Sequence, residues 1–426
     1  MKNNRDKRQE AIAALLPPQQ SAVMSLGLDR IKALLAALGN PHHRIPMVHV
    51  AGTNGKGSVC AYLSSIFATA GYRVGRYTSP HLIDWTERIC INGEPIAMET
   101  LHQVLVQVLD AAGTVEAPTS FELLVAAAWL YFAQSGCDLA VMEVGLGGRL
   151  DATNVCDRPL AAIIVSIGWD HAQILGPTLA DIAREKAGIL KPGCPAIIGP
   201  VPPEAKQAID TCVARVNCLP IEPEPAIDLG NGRAQYGNIQ YSLPLEGKHQ
   251  LSNSALAIAA MQVLDPQKWQ ISADAIAEGI ARTRWRGRLQ WSYWQDYPLL
   301  VDGAHNPESA IALRDYLDSS DRIQSKDASI TWVMGMLTKK SHHDIFQTLL
   351  RPGDTLYLVP VPNHRTASPE ELAELAQTLQ PQLKSCETYP DLGKALDAAV
   401  LSSPPTIVLC GSLYLVGYYF SLFRDW

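Results

Sequence analysis

The stretch at residues 49–67, HVAGTNGKGSVCAYLSSIF, joins an apolar run to a helix-like run through a glycine-rich turn. Such a turn presents backbone N–H groups and the positive end of a helix dipole to an anion. Lys56 adds a point charge for terminal phosphates, and Ser58 a hydroxyl of the kind that binds Mg²⁺. The spacing departs from the general phosphate loop G-x-x-x-x-G-K-[ST], because Gly52 stands close before Gly55 and Gly57 separates Lys56 from Ser58. Further along, VMEVGLGGRLDATN puts Glu143 at the end of a second apolar run, where a carboxylate can hold a metal on bound phosphates. Asp170 and His171 follow a third such run in SIGWDHAQILG, and AREKAGILKPG places Lys186 on a helix. Each group also has a plain alternative: a tight turn with a solvent-facing lysine, a strand-end surface carboxylate, a structural histidine, and a Lys186–Glu185 charge pair on a solvated face.

These groups can meet only if the apolar runs lie side by side. Residues 47–52, 138–145 and 160–168 read as buried strands, each four to eight residues of β-branched or apolar side chains ending at a glycine-bearing loop. A helix over residues 57–70 and another in SFELLVAAAWLYFAQ alternate with them, the pattern of βαβ units around a parallel sheet. Open sheets of this kind place their ligands at the carboxyl ends of the strands, where all the groups above fall. Residues 200–240 are rich in Pro, Gly and Asn and suggest a peripheral element of short antiparallel strands. SNSALAIAAMQVL reads as a helix with Ser252 or Asn253 near its N-cap, and RTRWRGRLQWSYWQDYP as an irregular stretch. The alternation then resumes, with strands near PLLVDG, SITWVMG, DTLYLVP and PTIVLCG and helices starting near Pro307, His342, Ser368 and Ser412. The expectation is an α/β chain of two domains, residues 1–295 and a smaller Rossmann-like domain over residues 296–426.

The bulk composition narrows the partners. A chain of 426 residues with 47% apolar content buries ample core, and a net charge of −7 argues against a general nucleic-acid binder. The apolar run in MKNNRDKRQEAIAALLPPQQ is too short for a signal segment, and LLVAAAWLYFA is well short of a bilayer span. Nine cysteines without C-x-x-C pairs suit a reduced cytoplasmic protein without zinc.

Taken together, HVAGTNGKGSV, YTSPHLIDWTERI, EVGLGGRLDATN, the Asp170–His171 pair, REKAGI and DGAHNP resemble, in order and approximate spacing, the folylpolyglutamate synthase and dihydrofolate synthase family of the Mur ligase superfamily. The resemblance runs from Gly27 to the LCGSLYLV string near the C-terminus. It implies a Mur-ligase-like P-loop domain followed by the smaller Rossmann-like domain, and it makes T-N-G-K-G-[ST] the family's own phosphate loop. By this likeness Thr53, Asn54, Gly55, Lys56, Gly57 and Ser58 would bind ATP, as would Asn253, Arg288 and Asp302. Ser79 and Glu143 would hold one Mg²⁺ and His171 would approach a second. Lys186 would be carbamylated, which suits a buried lysine able to lose its charge. Lys56, Lys186 and His171 would then be the catalytic set, with His305 and Ser412 placing the incoming glutamate.

The resemblance also implies dihydropteroate contacts at Val23, Met24, Ser25 and Leu26, at Thr119, Ser120, Phe121 and Glu122, and at Leu150, Asp151 and Ala152. Phe121 could stack on a pterin ring or simply pack at a helix start. The implied activity is ATP-dependent addition of L-glutamate to dihydropteroate and to reduced folates by a cytoplasmic monomer acting on small molecules. The nearest rival is a Mur-type ligase acting on a UDP-muramoyl acceptor, and a more distant one is a nucleotide-dependent switch. No N-K-x-D element for GTP occurs, and the basic, tryptophan-rich run at residues 282–291 is taken for a nucleotide clamp rather than an RNA patch.

Overall fold

The computed structural model describes residues 4–17, 27–113, 116–320, 322–323 and 329–423. The chain divides into two compact units, one of residues 1–244 and 250–284, the other of residues 245–249 and 285–426.

The first unit is built on an eight-stranded sheet. Its strands are β1 (Met47–Ala51), β2 (Val74–Tyr77), β3 (Ile89–Ile91), β4 (Glu94–Pro95), β5 (Leu139–Glu143), β6 (Ala161–Ile164), β7 (Pro195–Ile198) and β8 (Leu219–Ile221). The order is β4-β3-β2-β5-β1-β6-β7-β8, parallel from β2 to β8, with β3 and β4 antiparallel at one edge. β1 therefore lies in the centre, and β1, β5 and β6 are buried along their whole length, which explains their unbroken apolar runs. The three strands read from the sequence are the three central ones, and Val50 pairs with Glu143 across β1 and β5.

The helix Lys56–Thr69 follows β1 and packs on this sheet beside the helix Ala273–Arg282; a Cβ on Gly279 would lie 2.5 Å from Ile66 Cα. The helices Met98–Ala112 and Ser120–Gln134 share a core cluster with β1, β2 and β5 that includes Trp129 and Phe132. The helices Leu179–Ala187 and Pro203–Val216 close a second cluster with Ile164, Ala196 and Ile198. The peripheral β element is present as a three-stranded antiparallel sheet of β9 (Ile227–Gly230), β10 (Arg233–Tyr236) and β11 (Ile239–Ser242).

The second unit is a six-stranded sheet of β12 (Gln290–Trp294), β13 (Tyr297–Val301), β14 (Thr331–Met334), β15 (Thr355–Leu358), β16 (Ser385–Thr388) and β17 (Ile407–Cys410). The order is β12-β13-β17-β14-β15-β16, parallel except for the edge strand β12. Helices begin at Pro307, His342, Pro369, Leu392 and Leu413, the last three capped by Ser368, Asp391 and Ser412; the helix from Leu392 is not among those expected from the sequence.

Three expectations change. The stretch taken as irregular contains β12, which turns through Gln295 and Asp296, both at positive φ, into β13. That two-residue reversal is the hairpin geometry whose twist matches its strands. The boundary expected near Gln295 thus falls inside a hairpin of the second sheet, and the units part after Arg284. The helix carrying Asn253 begins at His249, so neither Ser252 nor Asn253 is its cap. Residues 203–216, inside the stretch expected to form short antiparallel strands and turns, form a helix with Pro203 in its first turn, the position where proline is tolerated.

Candidate active site

The phosphate loop leaves β1 at Ala51 and enters its helix at Lys56. Gly55 sits at φ +81°, and a Cβ there would lie 2.8 Å from Asn253 Oδ1 and 2.8 Å from Val165 Cγ1, so only glycine fits. Two of the loop's amides are tied down: Thr53 N–H donates to Ser166 O at 2.8 Å and Asn54 N–H to Ser166 Oγ at 3.0 Å. Thr53 Oγ1 also bonds the Gly168 backbone in both directions, at 3.2 and 3.0 Å. These contacts bolt the loop to the segment that follows β6. The amides of Lys56, Gly57 and Ser58 precede the first helical hydrogen bond, Val59 N–H to Gly55 O, and lie at the positive end of the helix.

Two amines converge at the base of the loop. Lys56 Nζ donates to Gly52 O at 3.0 Å and to Thr53 O at 3.1 Å. Lys186 Nζ donates to the same Gly52 O at 3.0 Å. Lys186 is buried, and desolvation together with the Lys56 charge lowers its pKa to about 7, against the pull of Asp170 and Asp151. The solvated pair with Glu185 is not formed; Glu185 instead bonds Arg149 at 2.8 Å. Lys186 reaches inward because its helix docks closely on the glycine-rich turn after β5, where a Cβ on Gly148 would lie 2.9 Å from Lys186 O. Arg149 N–H donates to Glu185 O, and Asn154 Nδ2 to the carbonyls of Arg149 and Gly188.

Glu143 is buried at the end of β5, not a surface residue, and its Oε2 accepts the Ser79 N–H at 3.0 Å. The Ser79–Pro80 peptide is cis. His171 is half-exposed, at φ +55°, and its N–H donates to Asp170 Oδ1 at 3.0 Å. The Glu143 carboxylate and the Ser79 hydroxyl are hard oxygen donors that suit Mg²⁺, an ion that takes one or two carboxylates and completes its shell with water and phosphate oxygens. Among the described residues, no three His, Cys, Asp or Glu side chains gather into a metal-binding cluster.

Asn253 was expected from the resemblance alone, and the structure places it against the loop at Gly55. A further residue accompanies it. Gln250 is fully buried, accepts from Asn253 Nδ2 at 3.0 Å and from Tyr62 OH at 3.4 Å, and donates to Ser58 Oγ at 3.4 Å. The three-residue spacing of Gln250 and Asn253 on one helix was the available signal.

The expected acceptor residues separate into kinds. Thr119 and Glu122 form a capping box, and Glu122 also pairs with Arg30 at 3.2 Å, so their side chains serve the helix start. Ser120 Oγ donates to Pro17 O. Phe121 lies over the turn after β5: a Cβ on Gly145 would sit 2.5 Å from its Cζ, and its ring meets Tyr77 edge-on. Asp151 and Ala152 are buried and Leu150 partly so. Val23, Met24, Ser25 and Leu26 lie outside the described residues.

In the second unit, Asp302 is buried after β13 and accepts N–H bonds from Leu289 and Ala304, each at 2.8 Å. Burial pushes its carboxyl up while the Arg288 guanidinium pulls it back. Arg288 lies against Gly303, whose Cβ would be 2.4 Å from Nη1. His305 Nδ1 is 2.7 Å from Gly303 O, and Ser412 Oγ caps its helix by accepting the Tyr414 N–H at 3.1 Å. Arg288, Asp302 and His305 thus gather at one turn of this unit.

Comparison with known proteins identifies the family. Residues 50–198 match the Mur ligase middle domain, and residues 289–422 match the dihydrofolate synthetase C-terminal domain. Dihydrofolate synthetase of Saccharomyces cerevisiae is 36% identical, over 92% of this chain and 97% of the yeast protein. Dihydrofolate synthase/folylpolyglutamate synthase of Bacillus subtilis is 34% identical, over 92% and 93%. Among solved structures, Mycobacterium tuberculosis folylpolyglutamate synthase complexed with ADP matches with a TM-score of 0.86 at 29% identity over 99% of both chains. Escherichia coli FolC in complex with DHPP and ADP matches with a TM-score of 0.83 at 30% identity over 97% of both. With its phosphate loop, buried lysine and both domain matches in place, the chain belongs to the dihydrofolate synthase/folylpolyglutamate synthase family of ATP-dependent ligases.

Proposed function

We propose that this chain joins L-glutamate to the carboxylate of dihydropteroate, and to that of reduced folates, driven by ATP. The observation that carries the reading is the convergence of Lys56 and Lys186 on the Gly52 carbonyl at the root of an anion-binding helix N-terminus. A carboxylate does not condense with an amine at neutral pH, because its oxygen is a poor leaving group. An acceptor carboxylate oxygen therefore attacks the terminal phosphorus of ATP, the bond to the ADP oxygen breaks, and an acyl phosphate forms. The glutamate amine then attacks the acyl carbon, phosphate leaves, and the amine gives up a proton as the amide forms.

The residues act mainly by position and charge. Lys56 and the amides at residues 56–58 stabilise the charge spreading over the transferring phosphoryl group. Thr53 and Asn54 hold the loop in shape through Ser166, and Asn253 with Gln250 buttresses it from the side. Glu143 and Ser79 would hold Mg²⁺, which supplies further neutralisation of phosphate charge when bound. Lys186, its pKa lowered by burial and by Lys56, is suited to take up CO₂ as a carbamate and so present an anion at the base of the phosphate loop. Phe121 would offer its ring to the pterin, Arg288 and Asp302 would contact the nucleotide, and His305 and Ser412 would place the glutamate. All nine cysteines are free thiols, which suits work in the reducing cytoplasm.

The test is incubation with ATP, L-glutamate and dihydropteroate, tetrahydrofolate or a UDP-muramoyl acceptor in turn, with products read by mass. Glutamyl conjugates of the first two support the reading; turnover of the muramoyl acceptor alone overturns it.

A further inference from the structure

β1 carries a histidine for which the phosphate chemistry has no use. His49 is fully buried, and its Nε2 lies 2.8 Å from Thr153 Oγ1. Thr153 Oγ1 in turn donates to Asp151 Oδ1 at 2.6 Å. A threonine hydroxyl has a single proton. Because that proton goes to the carboxylate, the contact with His49 has one consistent polarity, Nε2–H donating to Thr153. His49 is then the neutral Nε2–H tautomer, and its Nδ1 is a buried lone pair without a hydrogen-bond partner. Burial and the nearby Lys191 charge hold the ring's pKa down to about 3, in keeping with an uncharged ring.

The far end of this relay is Asp151. Its Oδ1 accepts from Thr153 N and Thr153 Oγ1, and its Oδ2 from Gly145 N at 3.0 Å and Leu146 N at 2.9 Å. A carboxylate offers about four lone-pair positions, so Asp151 is saturated by protein donors and acts as an anchor. What it anchors is the turn under Phe121, since a Cβ on Gly145 would lie 2.5 Å from the Phe121 ring and 3.2 Å from Asp151 Oδ2.

We infer that His49 is a positioning residue for the acceptor: through Thr153 it fixes Asp151, and with it the Gly145–Leu146 turn, against the Phe121 ring. The inference rests on the proposed function in taking that ring and turn as the dihydropteroate wall. It separates His49 from a merely structural residue of β1, because β1 runs directly into the phosphate loop and a general loss of support there would weaken ATP binding first.

The variants are His49→Leu, Thr153→Val, their combination, and His49→Gln, whose amide N–H can replace the Nε2–H donor. Losing one hydrogen bond of a chain ending on a carboxylate should raise KM for dihydropteroate about tenfold in each single variant, with KM for ATP held within about twofold. The double variant should lose no more than either single one, the mark of a shared interaction, and His49→Gln should recover most of the loss. Additive losses, an equal rise in KM for ATP, or an unchanged KM for dihydropteroate in folded variants overturns the inference. Thr153→Val is nearly isosteric and carries the test if His49→Leu does not fold. Nitrogen NMR of the histidine-labelled wild type reads the relay without any turnover: the Nε2–H tautomer is expected, and an Nδ1–H or charged ring overturns it. A wild type with the expected tautomer that does not accept dihydropteroate locates the failure in the functional reading, and the acceptor role of His49 falls with it.

Discussion

In the first unit two amines, Lys56 and Lys186, meet at the Gly52 carbonyl, and proximity to Lys56 adds to burial in depressing the Lys186 pKa. In the second unit the buried charge at the turn after β13 is a carboxylate, Asp302, which has the Arg288 cation beside it and an N–H from each of Leu289 and Ala304. The first arrangement is electrostatically unfinished: it gains when an anion such as a phosphate arrives. The second is already compensated and serves to hold a turn in place. Side chains of the first kind can be removed with loss of rate and little loss of fold, whereas those of the second kind contribute to stability as well.

The largest break in this contrast should come from Lys56→Ala. Removing a cation that stabilises charge in the transition state should lower kcat about 10²- to 10³-fold, while the thermal midpoint stays level because a repulsive neighbour of Lys186 is gone. Steady-state kinetics and calorimetry on the same preparation would check both halves; a large drop in midpoint would mean that the lysine belongs to the fold.

A second test reads Lys186 through pH. Its pKa of about 7 in the folded chain lies below the ordinary 10.5, so between those values the unfolded chain binds the additional proton. Stability conferred by the neutral amine therefore rises with pH through that window, and below about pH 7 the cost of the buried charge is fully felt. In buffer free of carbon dioxide, the wild type should gain on Lys186→Met as pH rises from about 7 towards 10. Adding bicarbonate near neutral pH should add the mass of one carboxylate to the wild type and none to the variant.

The smallest expected effect is in the second unit. Ser412→Ala removes a helix cap and should cost about 1 kcal/mol in stability. Its KM for glutamate should rise several-fold, with KM for ATP unmoved; a stability loss with no change in either KM would leave Ser412 as a cap alone.

Much of the frame was legible because it depends on local pattern. The unbroken apolar runs of β1, β5 and β6 mark strands buried on both faces, and the glycines after them mark where loops approach a ligand. The starts at Pro307, His342, Ser368 and Ser412 were readable because cap and first-turn chemistry is local. β12, Gln-Trp-Ser-Tyr-Trp, is hidden in the sequence because it follows directly on an arginine- and glycine-bearing run that reads as irregular until β13 pairs with it, and the helix Pro203–Val216 because Pro202 and Pro203 at its start resemble turn signals. Asn253 looked like a cap from its residue type, yet lies inside a helix that starts at His249.

The sequence by itself determined which residues could do chemistry and in what order, since T-N-G-K-G-S, Glu143, His171 and the REKAGI lysine are matters of type and spacing. It left open whether Lys186 faced water or the phosphate loop, and whether Glu143 was a surface group. Tertiary structure decided both, by docking the Lys186 helix on the glycine-rich turn and pairing β5 with β1. It also turned His49, Thr153 and Asp151 into one chain of hydrogen bonds. The physical reason is burial: charge state, tautomer and bond polarity depend on which neighbours exclude water, and those neighbours come from segments far apart in the chain.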